Sequence, residues 1–397
     1  MTSIAMDSGQ SERPTVVIVC AVPATLTAFL APHIHEMGKH FTVTVICSGE
    51  FSDVQSVLPE GVSFLSVKIE RKIDIKSDLR ALWRLYSVLR RQQPDCVHSV
   101  TPKAGLLAMI AGCAARVPIR IHTFTGQVWA TRSGVIRALF RLLDKLIASL
   151  ATHLLVDSNS QKQFLVEQRV STVKKLAVLG EGSICGVNLA RFRPDPQVRI
   201  ATRAEFAIPL EAKIVLFVGR MNRDKGLCDL AAAFRNIAPR FPDAFLVVVG
   251  PDEDGEKDRA TQILAGCADH VRFVGFSKIP EEFMAASDIF AMPSYREGFG
   301  SVVIEAAACG LPCIASRIYG LTDAVVDGIT GVFHEPGDVS GIEGALARLL
   351  TDHAYRGELG EKALRRAESE FSQERIVGEQ LKFVKAALIT LSQTGAA

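Results

Sequence analysis

The sequence DIFAMPSYREGFGSVVIEAAACGLPCIAS, residues 288–316, indicates the fold class of the chain. Its ends, DIFAMP and LPCIAS, are short apolar runs typical of buried parallel strands, and a turn and a helical segment lie between them. Gly310 and Pro312 end the helix, because glycine accepts the left-handed conformation past a helix end and proline cannot continue the helix. The stretch is therefore predicted to form one strand–helix–strand unit of a parallel sheet.

The same alternation extends over most of the chain. Apolar strands are predicted at 15–20, 41–47, 62–67, 95–98, 118–124 and 152–158, and again at 213–219, 244–250, 270–275, 288–293 and 311–316. Such strands, separated by helices, indicate parallel sheets covered on both faces. The predicted fold class is α/β, with two doubly wound Rossmann-like domains whose parallel sheets face each other across a cleft.

The rhythm breaks between 181 and 212, where Pro194 and Pro196 lie. The charge also changes sign there: residues 1–195 carry a net charge of +8 and the remainder −6. We predict a first domain over 1–195, a linker over 196–212, a second domain over 213–375, and a C-terminal helix over 376–397 that can cross back to the first domain.

Composition narrows the class of protein. Of the 397 residues, 48% are hydrophobic, which is enough for sizeable cores. The N-terminus lacks the pattern of a signal peptide, and no run of about 18 apolar residues predicts a membrane span. Nine cysteines without a CxxC pair favour reduced, buried thiols over a metal or redox site. We expect a cytoplasmic protein that can associate with the inner face of the cytoplasmic membrane.

The turn within the opening stretch is the first candidate site. Gly298 and Gly300 flank Phe299 and let the backbone approach a ligand closely. Ser301 is placed to cap the helix that starts there. The free amides and positive dipole end of that helix favour a phosphate.

Two glutamates flank this turn. Glu305 lies one turn inside an apolar helix and needs a polar partner, such as the vicinal hydroxyls of a ribose. Glu297, just before the turn, could meet a sugar hydroxyl. Solvation of both carboxylates is the alternative.

A second motif, LFVGRMNRDKGL (216–227), places cations after a predicted strand. Arg220 and Lys225 suit a diphosphate, Arg through forked hydrogen bonds and Lys as a point charge. The alternative is a solvated turn that starts a helix.

Together these motifs, G-R-x5-K-G and E-G-F-G-x4-E-A-x2-C-G-x-P, resemble those of the retaining nucleotide-sugar glycosyltransferases of family 4, which have the GT-B fold. The resemblance includes GVNLARFRP (186–194) and ASRIYGLTDAVVDGITGVFHEPGD (315–338). The stretch HSVTPKAGLLAMIAGCAARVPIRIHTFTG (98–126) is similar to bacterial members that build surface polysaccharides.

The resemblance implies a role for each matching residue. Arg220 and Lys225 would hold the donor diphosphate, and Glu305 would bind the ribose hydroxyls. Glu297, with the backbone of Phe299 and Gly300, would meet the donor sugar. Phe276, after a predicted strand, would lie against the base. No cofactor is implied, because a nucleoside-diphosphate sugar is the donor substrate.

The chain also departs from the family pattern. The loop CAVPATLTAF (20–29) stands where many members have a glycine-rich loop. Thr125 stands where many members carry a histidine, and His122 lies three residues earlier. Lys103 could meet an acceptor phosphate. Asp252 and Asp254 mimic a D-x-D metal signature, but a solvated acidic turn is favoured, so no metal is predicted.

Two basic helices suggest a membrane partner. The segment 134–149 is amphipathic, with Arg137, Arg141 and Lys145 on one face, and a second helix carries Arg80, Arg84, Arg90 and Arg91. These cations could contact anionic lipid. The alternative is a helix whose apolar side packs on the sheet and whose charged side is solvated. Nucleic acid is disfavoured, because aromatics do not interleave with the cations.

The sequence thus predicts transfer of a hexose or N-acetylhexosamine from a nucleoside-diphosphate sugar, with UDP as the expected nucleotide, to a lipid-linked or glycan hydroxyl. A UDP-sugar epimerase on the same fold is the alternative. A nicotinamide oxidoreductase ranks low, because the first strand–helix turn lacks GxGxxG. A non-catalytic sugar-nucleotide-binding subunit is a further alternative.

Overall fold

A computed structural model describes residues 13–70 and 74–394 of the chain. The strands are β1 Thr15–Val19, β2 Thr42–Cys47, β3 Ser63–Ser66, β4 Cys96–Val100, β5 Ile119–Phe124, β6 His153–Val156, β7 Leu176–Val178, β8 Lys213–Val218, β9 Ala244–Val249, β10 Val271–Gly275, β11 Ile289–Met292, β12 Cys313–Ser316 and β13 Gly331–His334.

Helices separate most of these strands. They are α1 Pro23–Thr25, α2 Ala31–Gly38, α3 Ile75–Gln92, α4 Pro102–Ala114, α5 Gly134–Leu150, α6 Asn159–Glu167, α7 Pro196–Glu205, α8 Leu227–Ile237, α9 Glu256–Ile263, α10 Pro280–Ala286, α11 Ser301–Ala308, α12 Leu321–Ala324, α13 Val339–Thr351, α14 His353–Glu370 and α15 Gln373–Thr394. No described helix has the length and apolarity that crossing a bilayer requires.

The strands form two sheets with similar topology. One has the order β3-β2-β1-β4-β5-β6-β7 and the other β10-β9-β8-β11-β12-β13. The pairings of β1 with β2 and β4, and of β8 with β9 and β11, are parallel. Each order reverses beside its first strand, the point where doubly wound folds bind ligands. The predicted α/β class with two Rossmann-like parallel sheets is confirmed.

The segment predicted as a linker is partly helical. Helix α7 starts after Asp195, whose carboxylate accepts hydrogen bonds from the amides of Gln197 and Val198. Arg203 on this helix is 1% exposed and binds Asp288, at the entrance to β11, at 2.8 Å. Its guanidinium also donates to four backbone carbonyls, those of Ala286, Pro209, Leu210 and Ala212.

The chain divides into two compact units. One comprises the described parts of 1–123, 146–154 and 381–397, and the other comprises 124–145 and 155–380. This division differs from the predicted domain boundaries, which stay predictions.

Helix α5 differs in orientation from the alternative considered above, in which its apolar side packs on the sheet. The apolar side of its first half is exposed rather than packed on the sheet, with 48–84% exposure at Val135, Ile136, Leu139 and Leu142, whereas Ile147 in its last turn is 1% exposed. The guanidinium carbon of Arg137 instead lies 5.8 Å from the ring centroid of the buried Trp129, and the guanidinium donates to Oε1 of Gln168 at 3.2 Å. The expectation was wrong for the first half of α5, because the long cationic side chain of Arg137, rather than an apolar one, covers Trp129.

Candidate active site

The turns after β8 and β11 pack directly on each other. Gly226, with φ of +68°, ends the turn after β8, and a Cβ there would overlap the carbonyl oxygen of Pro293. The amide of Tyr295 also donates to the carbonyl of Asp224 at 2.8 Å. The structure therefore brings the two predicted motifs together at the carboxyl edge of the second sheet.

Lys225 and Glu297 form an ion pair at this junction. Lys225 Nζ lies 2.5 Å from Oε1 of Glu297, and Ser294 Oγ donates to the same oxygen at 2.9 Å. The two side chains are only 17% and 11% exposed. The charge of Lys225 is therefore balanced by Glu297.

Arg220 is the exposed member of the predicted site. Its guanidinium pairs with Glu253 at 2.8 Å, and Asn222 donates to the same carboxylate oxygen at 3.2 Å. An ion pair this exposed contributes about 1 kcal/mol or less. Arg220 can therefore exchange this partner for an anionic ligand at little cost.

The start of α11 differs from the prediction in one respect. Gly300, with φ of +83°, occupies the N-cap position, and no side chain caps the helix. The prediction that Ser301 caps it was wrong, because Ser301 is already the first helical residue. The amides of Gly298, Phe299 and Gly300 donate to no described residue. This helix start can therefore bind an anion.

The two phenylalanines of the predicted site have different environments. Phe299 is 2% exposed and packs edge-on against Phe371, with ring centroids 5.4 Å apart. Only its backbone is therefore accessible. Phe276 follows β10 and is 70% exposed, so its ring is accessible.

Glu305 lies on α11 with its carboxylate poorly solvated. Burial raises its pKa to about 7; the charge of Arg191 lowers the pKa, and that of Glu281 raises it further. Its carboxylate accepts no hydrogen bond from any described residue. A ligand with two hydroxyl groups would satisfy it.

The predicted residues of the first half are placed in different ways. His122 is buried, its Nδ1 lies 2.9 Å from Ser99 Oγ, and burial lowers its pKa to about 3. Lys103 pairs with Asp78 at 2.6 Å. Thr125 instead lies beside the Glu297–Gly300 turn, where a Cβ on Gly298 would be 2.8 Å from its carbonyl oxygen.

Asp157 also lies at this turn, although the sequence did not predict it as a site residue. It follows β6, is 5% exposed, and has its carboxyl group next to Gly298. The available signal was an acidic residue at the carboxyl end of a predicted strand, THLLVDS (152–158).

The side chain of Asp252 binds the backbone at the start of α9. Its Oδ1 accepts a hydrogen bond from the amide of Glu256 at 3.0 Å, in the first turn of α9. Within 13–70 and 74–394, no group of three or more His, Cys, Asp or Glu side chains is arranged to hold a metal ion.

Comparisons with known proteins identify the family of the chain. Residues 198–366 match the family described as glycosyl transferases group 1, and residues 23–180 match the glycosyl transferase 4-like domain. The chain is 30% identical over 318 residues to the Staphylococcus aureus capsular polysaccharide biosynthesis glycosyltransferase CapM. That match covers 80% of this chain and 83% of CapM.

Two further proteins are similar. An Escherichia coli protein named UDP-Gal:alpha-D-GlcNAc-diphosphoundecaprenol alpha-1,3-galactosyltransferase is 26% identical over 321 residues, or 79% of this chain and 81% of that protein. The structure of Anabaena HepE in complex with UDP aligns with a TM-score of 0.77 at 17% identity, over 94% of this chain and 100% of that one.

The fold, the site and these matches define a glycosyltransferase with the GT-B fold. The chain belongs to glycosyltransferase family 4, in the type that acts in bacterial polysaccharide biosynthesis.

Proposed function

We propose that the protein transfers a hexose or N-acetylhexosamine from a UDP-sugar to a hydroxyl of a lipid-diphosphate-linked or glycan acceptor, with retention of configuration. The product would enter O-antigen, capsule or exopolysaccharide. The Lys225–Glu297 pair beside the open amides of Gly298–Gly300 carries this proposal. The UDP bound to HepE and the substrates named for the E. coli relative support the choice of donor and acceptor.

Each residue has a role set by its chemistry. Lys225, Arg220 and the start of α11 bind the diphosphate, because they supply positive charge and free donors. Glu305 accepts hydrogen bonds from the ribose hydroxyls, and the exposed ring of Phe276 stacks on the base. Glu297 binds hydroxyls of the donor sugar.

The reaction exchanges one bond at the anomeric carbon. The bond from this carbon to the diphosphate oxygen breaks through an oxocarbenium-like transition state, and the bond to the acceptor oxygen forms on the same face. The acceptor proton passes to the departing diphosphate oxygen. Lys225 and Arg220 stabilise the negative charge that develops on the diphosphate.

A two-stage experiment tests this function. The purified protein is screened by thermal shift against UDP-, GDP- and ADP-sugars, and the donor that binds is incubated with an undecaprenyl-diphosphate-linked sugar. We expect a glycosylated lipid whose new linkage keeps the donor's anomeric configuration by NMR. Interconversion of the free UDP-sugar without acceptor would instead identify the alternative, an epimerase.

We also propose that α3 contacts an anionic membrane, where a lipid-linked acceptor resides. Ile75, Leu79 and Trp83 lie four residues apart and are 71%, 61% and 70% exposed. The opposite face of α3 is buried through Ala81, Leu85 and Leu89. The apolar stripe is flanked by exposed cations at Lys76, Arg80, Arg84, Arg90 and Arg91. An apolar stripe bordered by cations is typical of helices that lie in a lipid interface.

Vesicle sedimentation tests this contact. We expect binding to phosphatidylcholine vesicles that contain phosphatidylglycerol, and at least about tenfold weaker binding of the Leu79→Ser/Trp83→Ser variant, because two large apolar groups no longer insert. Ile200→Ser, which changes a 56% exposed apolar residue on α7, is the control. Leu139→Ser/Leu142→Ser measures any contribution from α5. Equal binding of the α3 variant and the control would refute the proposal.

A further inference from the structure

Asp157 is a buried carboxyl group without a role in the reaction described above. Its Oδ1 has no hydrogen-bond partner among the described residues. Burial raises its pKa to about 8, so the neutral acid predominates at pH 7. A polar group left unpaired inside a protein is costly, and such groups concentrate at functional sites.

The backbone of Asp157 is held on both sides. Its amide donates to Oε1 of Gln161 at 2.7 Å, and its carbonyl accepts from the amide of Ser183 at 2.7 Å. Gln161 is fixed in turn, because its Nε2 donates to the carbonyl of Phe124 at 3.3 Å. The carboxyl group of Asp157 therefore projects from a rigid support.

This carboxyl group lies against the Glu297–Gly300 turn. A Cβ on Gly298 would be 3.0 Å from Oδ2 of Asp157, and one on Gly126 would be 3.1 Å from the amide nitrogen of Gly298. A Cβ on Gly182 would be 2.9 Å from the ring of Phe299. The turn thus rests on three segments that leave no space for a shift toward Asp157.

We propose that Asp157 is a positioning residue that fixes the Glu297–Gly300 turn for binding of the donor. It acts through Gly298: while the turn rests on the carboxyl group, the Glu297 carboxylate stays beside Lys225 and the amides of Gly298–Gly300 stay open. This inference rests on the proposed function, because it assigns the turn to the donor.

The charge state of Asp157 matters because an anion is expected nearby. Ionisation would place an unpaired negative charge beside the turn that receives the diphosphate. The charged and titratable groups on the segments around it include two that are paired: Glu297 with Lys225, and Arg296 with Asp224. The others are Asp323, which accepts hydrogen bonds from the amide of Ser160, the exposed Glu181, and the thiol of Cys185. Burial, aided by Glu305 and Asp157, raises the pKa of Cys185 to about 12, so this thiol stays neutral.

Three variants test the inference: Asp157→Ala, Asp157→Asn and the control Asp144→Asn. Asp144 is a second buried acid, bound to Trp129 Nε1 at 2.7 Å. We expect Asp157→Ala to lower kcat/KM for the donor by about 10- to 100-fold through misplacement of the turn. Asp157→Asn should keep kcat/KM near that of wild type at pH 7 and should lack the decline that we expect for wild type above about pH 8. Asp144→Asn should affect neither quantity.

Hydrogen–deuterium exchange separates failure of this inference from failure of the proposed function. Faster exchange over 294–305 is expected in Asp157→Ala and not in Asp144→Asn, and this measurement requires no substrate. Unchanged exchange, or a kcat/KM loss equal to that of Asp144→Asn, would overturn the positioning role. Faster exchange in a protein that binds no UDP-sugar would retain the positioning role and reject the proposed function.

Discussion

Lys225 Nζ and Glu297 Oε1 lie 2.5 Å apart, so the cation assigned to the donor diphosphate is paired with the carboxylate assigned to the donor sugar. A donor that binds both must enter between or beside them. The pair keeps two mostly buried charges compensated until then, which limits the desolvation cost of holding them in place.

This pairing predicts non-additive kinetics. Lys225→Met and Glu297→Gln should each lower kcat/KM for the donor by about 100-fold, because each removes a group that acts on the donor and leaves its partner unpaired. The double variant should lose far less than the product of the two effects. Steady-state kinetics of the full cycle measures this coupling.

A matched control is available on α14. Lys362 and Glu358 form an exposed pair with 2.6 Å between Nζ and Oε1. The corresponding Lys362→Met/Glu358→Gln cycle should leave kcat/KM unchanged. Independent, multiplying losses at Lys225 and Glu297 would show that the pair does not act on the donor as a unit.

The proposed ribose role of Glu305 predicts that donor binding depends on pH. The pKa of Glu305 is raised to about 7, so the carboxylate assigned to the ribose hydroxyls forms as the pH rises through 7. Calorimetric affinity for the donor should therefore increase from pH 6 to pH 8, and Glu305→Gln should flatten this increase. Glu305→Ala should weaken donor binding by about 10- to 100-fold at pH 8.

The same shift affects stability with the opposite sign. A raised pKa means that the folded protein holds this proton more tightly than the unfolded chain does. The contribution of Glu305 to the free energy of unfolding therefore falls as the pH rises from about 4.5 to about 7. Arg191 and Glu281 face this carboxylate and are unchanged in Glu305→Gln.

Donor affinity that is unaltered in both Glu305 variants would refute the ribose assignment. Glu368→Ala, on the exposed side of α14, is the control.

Activity should persist in excess EDTA. The expected charge on the leaving diphosphate is balanced by Arg220, Lys225 and the amides at the start of α11, without a metal ion. Transfer rates measured with and without EDTA should agree within error. Loss of activity that Mg²⁺ or Mn²⁺ restores would direct attention to Asp252 and Asp254.

Arg203 should be important for stability rather than for catalysis. It is buried, binds Asp288 at 2.8 Å and donates to four carbonyl groups, so its removal leaves several buried acceptors unpaired. Arg203→Met should lower the free energy of unfolding by about 3–5 kcal/mol in urea denaturation. Arg365→Met, which removes an exposed ion pair with Glu361 on α14, should change it by less than about 1 kcal/mol. Similar losses in the two variants would contradict this role.

Much of the fold could be predicted because its signals are local. Apolar runs bounded by glycine and proline marked the strands, and Gly310 ended α11 as expected. Strand β7 gave too little signal, because it has three residues and only Leu176 is buried. The orientation of α5 depends on the position of Trp129. This residue lies outside the helix, so the periodicity of the helix could not predict the orientation.

The candidate site also combines residues with a local sequence signal and contacts that depend on long-range packing. Arg220, Lys225, Glu297 and Glu305 are recognisable because each stands at a fixed distance from a strand end or a glycine turn. The Lys225–Glu297 pairing joins residues 72 positions apart and depends on the packing of Gly226 against Pro293. Asp157 escaped notice because its significance comes from its burial beside Gly298, a residue far along the chain that follows a strand of the other sheet.

The tight packing around Gly298 restricts how the enzyme can be re-engineered. A side chain on Gly126 would displace backbone atoms of Gly298. A side chain on Gly298 would displace backbone atoms of Thr125 and the carboxyl group of Asp157. A library that randomises the turn itself would therefore yield mostly misfolded or inactive clones. Changes of sugar preference should be sought at Ser294, whose hydroxyl donates to Glu297, and at Tyr295, whose hydroxyl donates to Asp229 on α8, because neither side chain occupies the glycine contact.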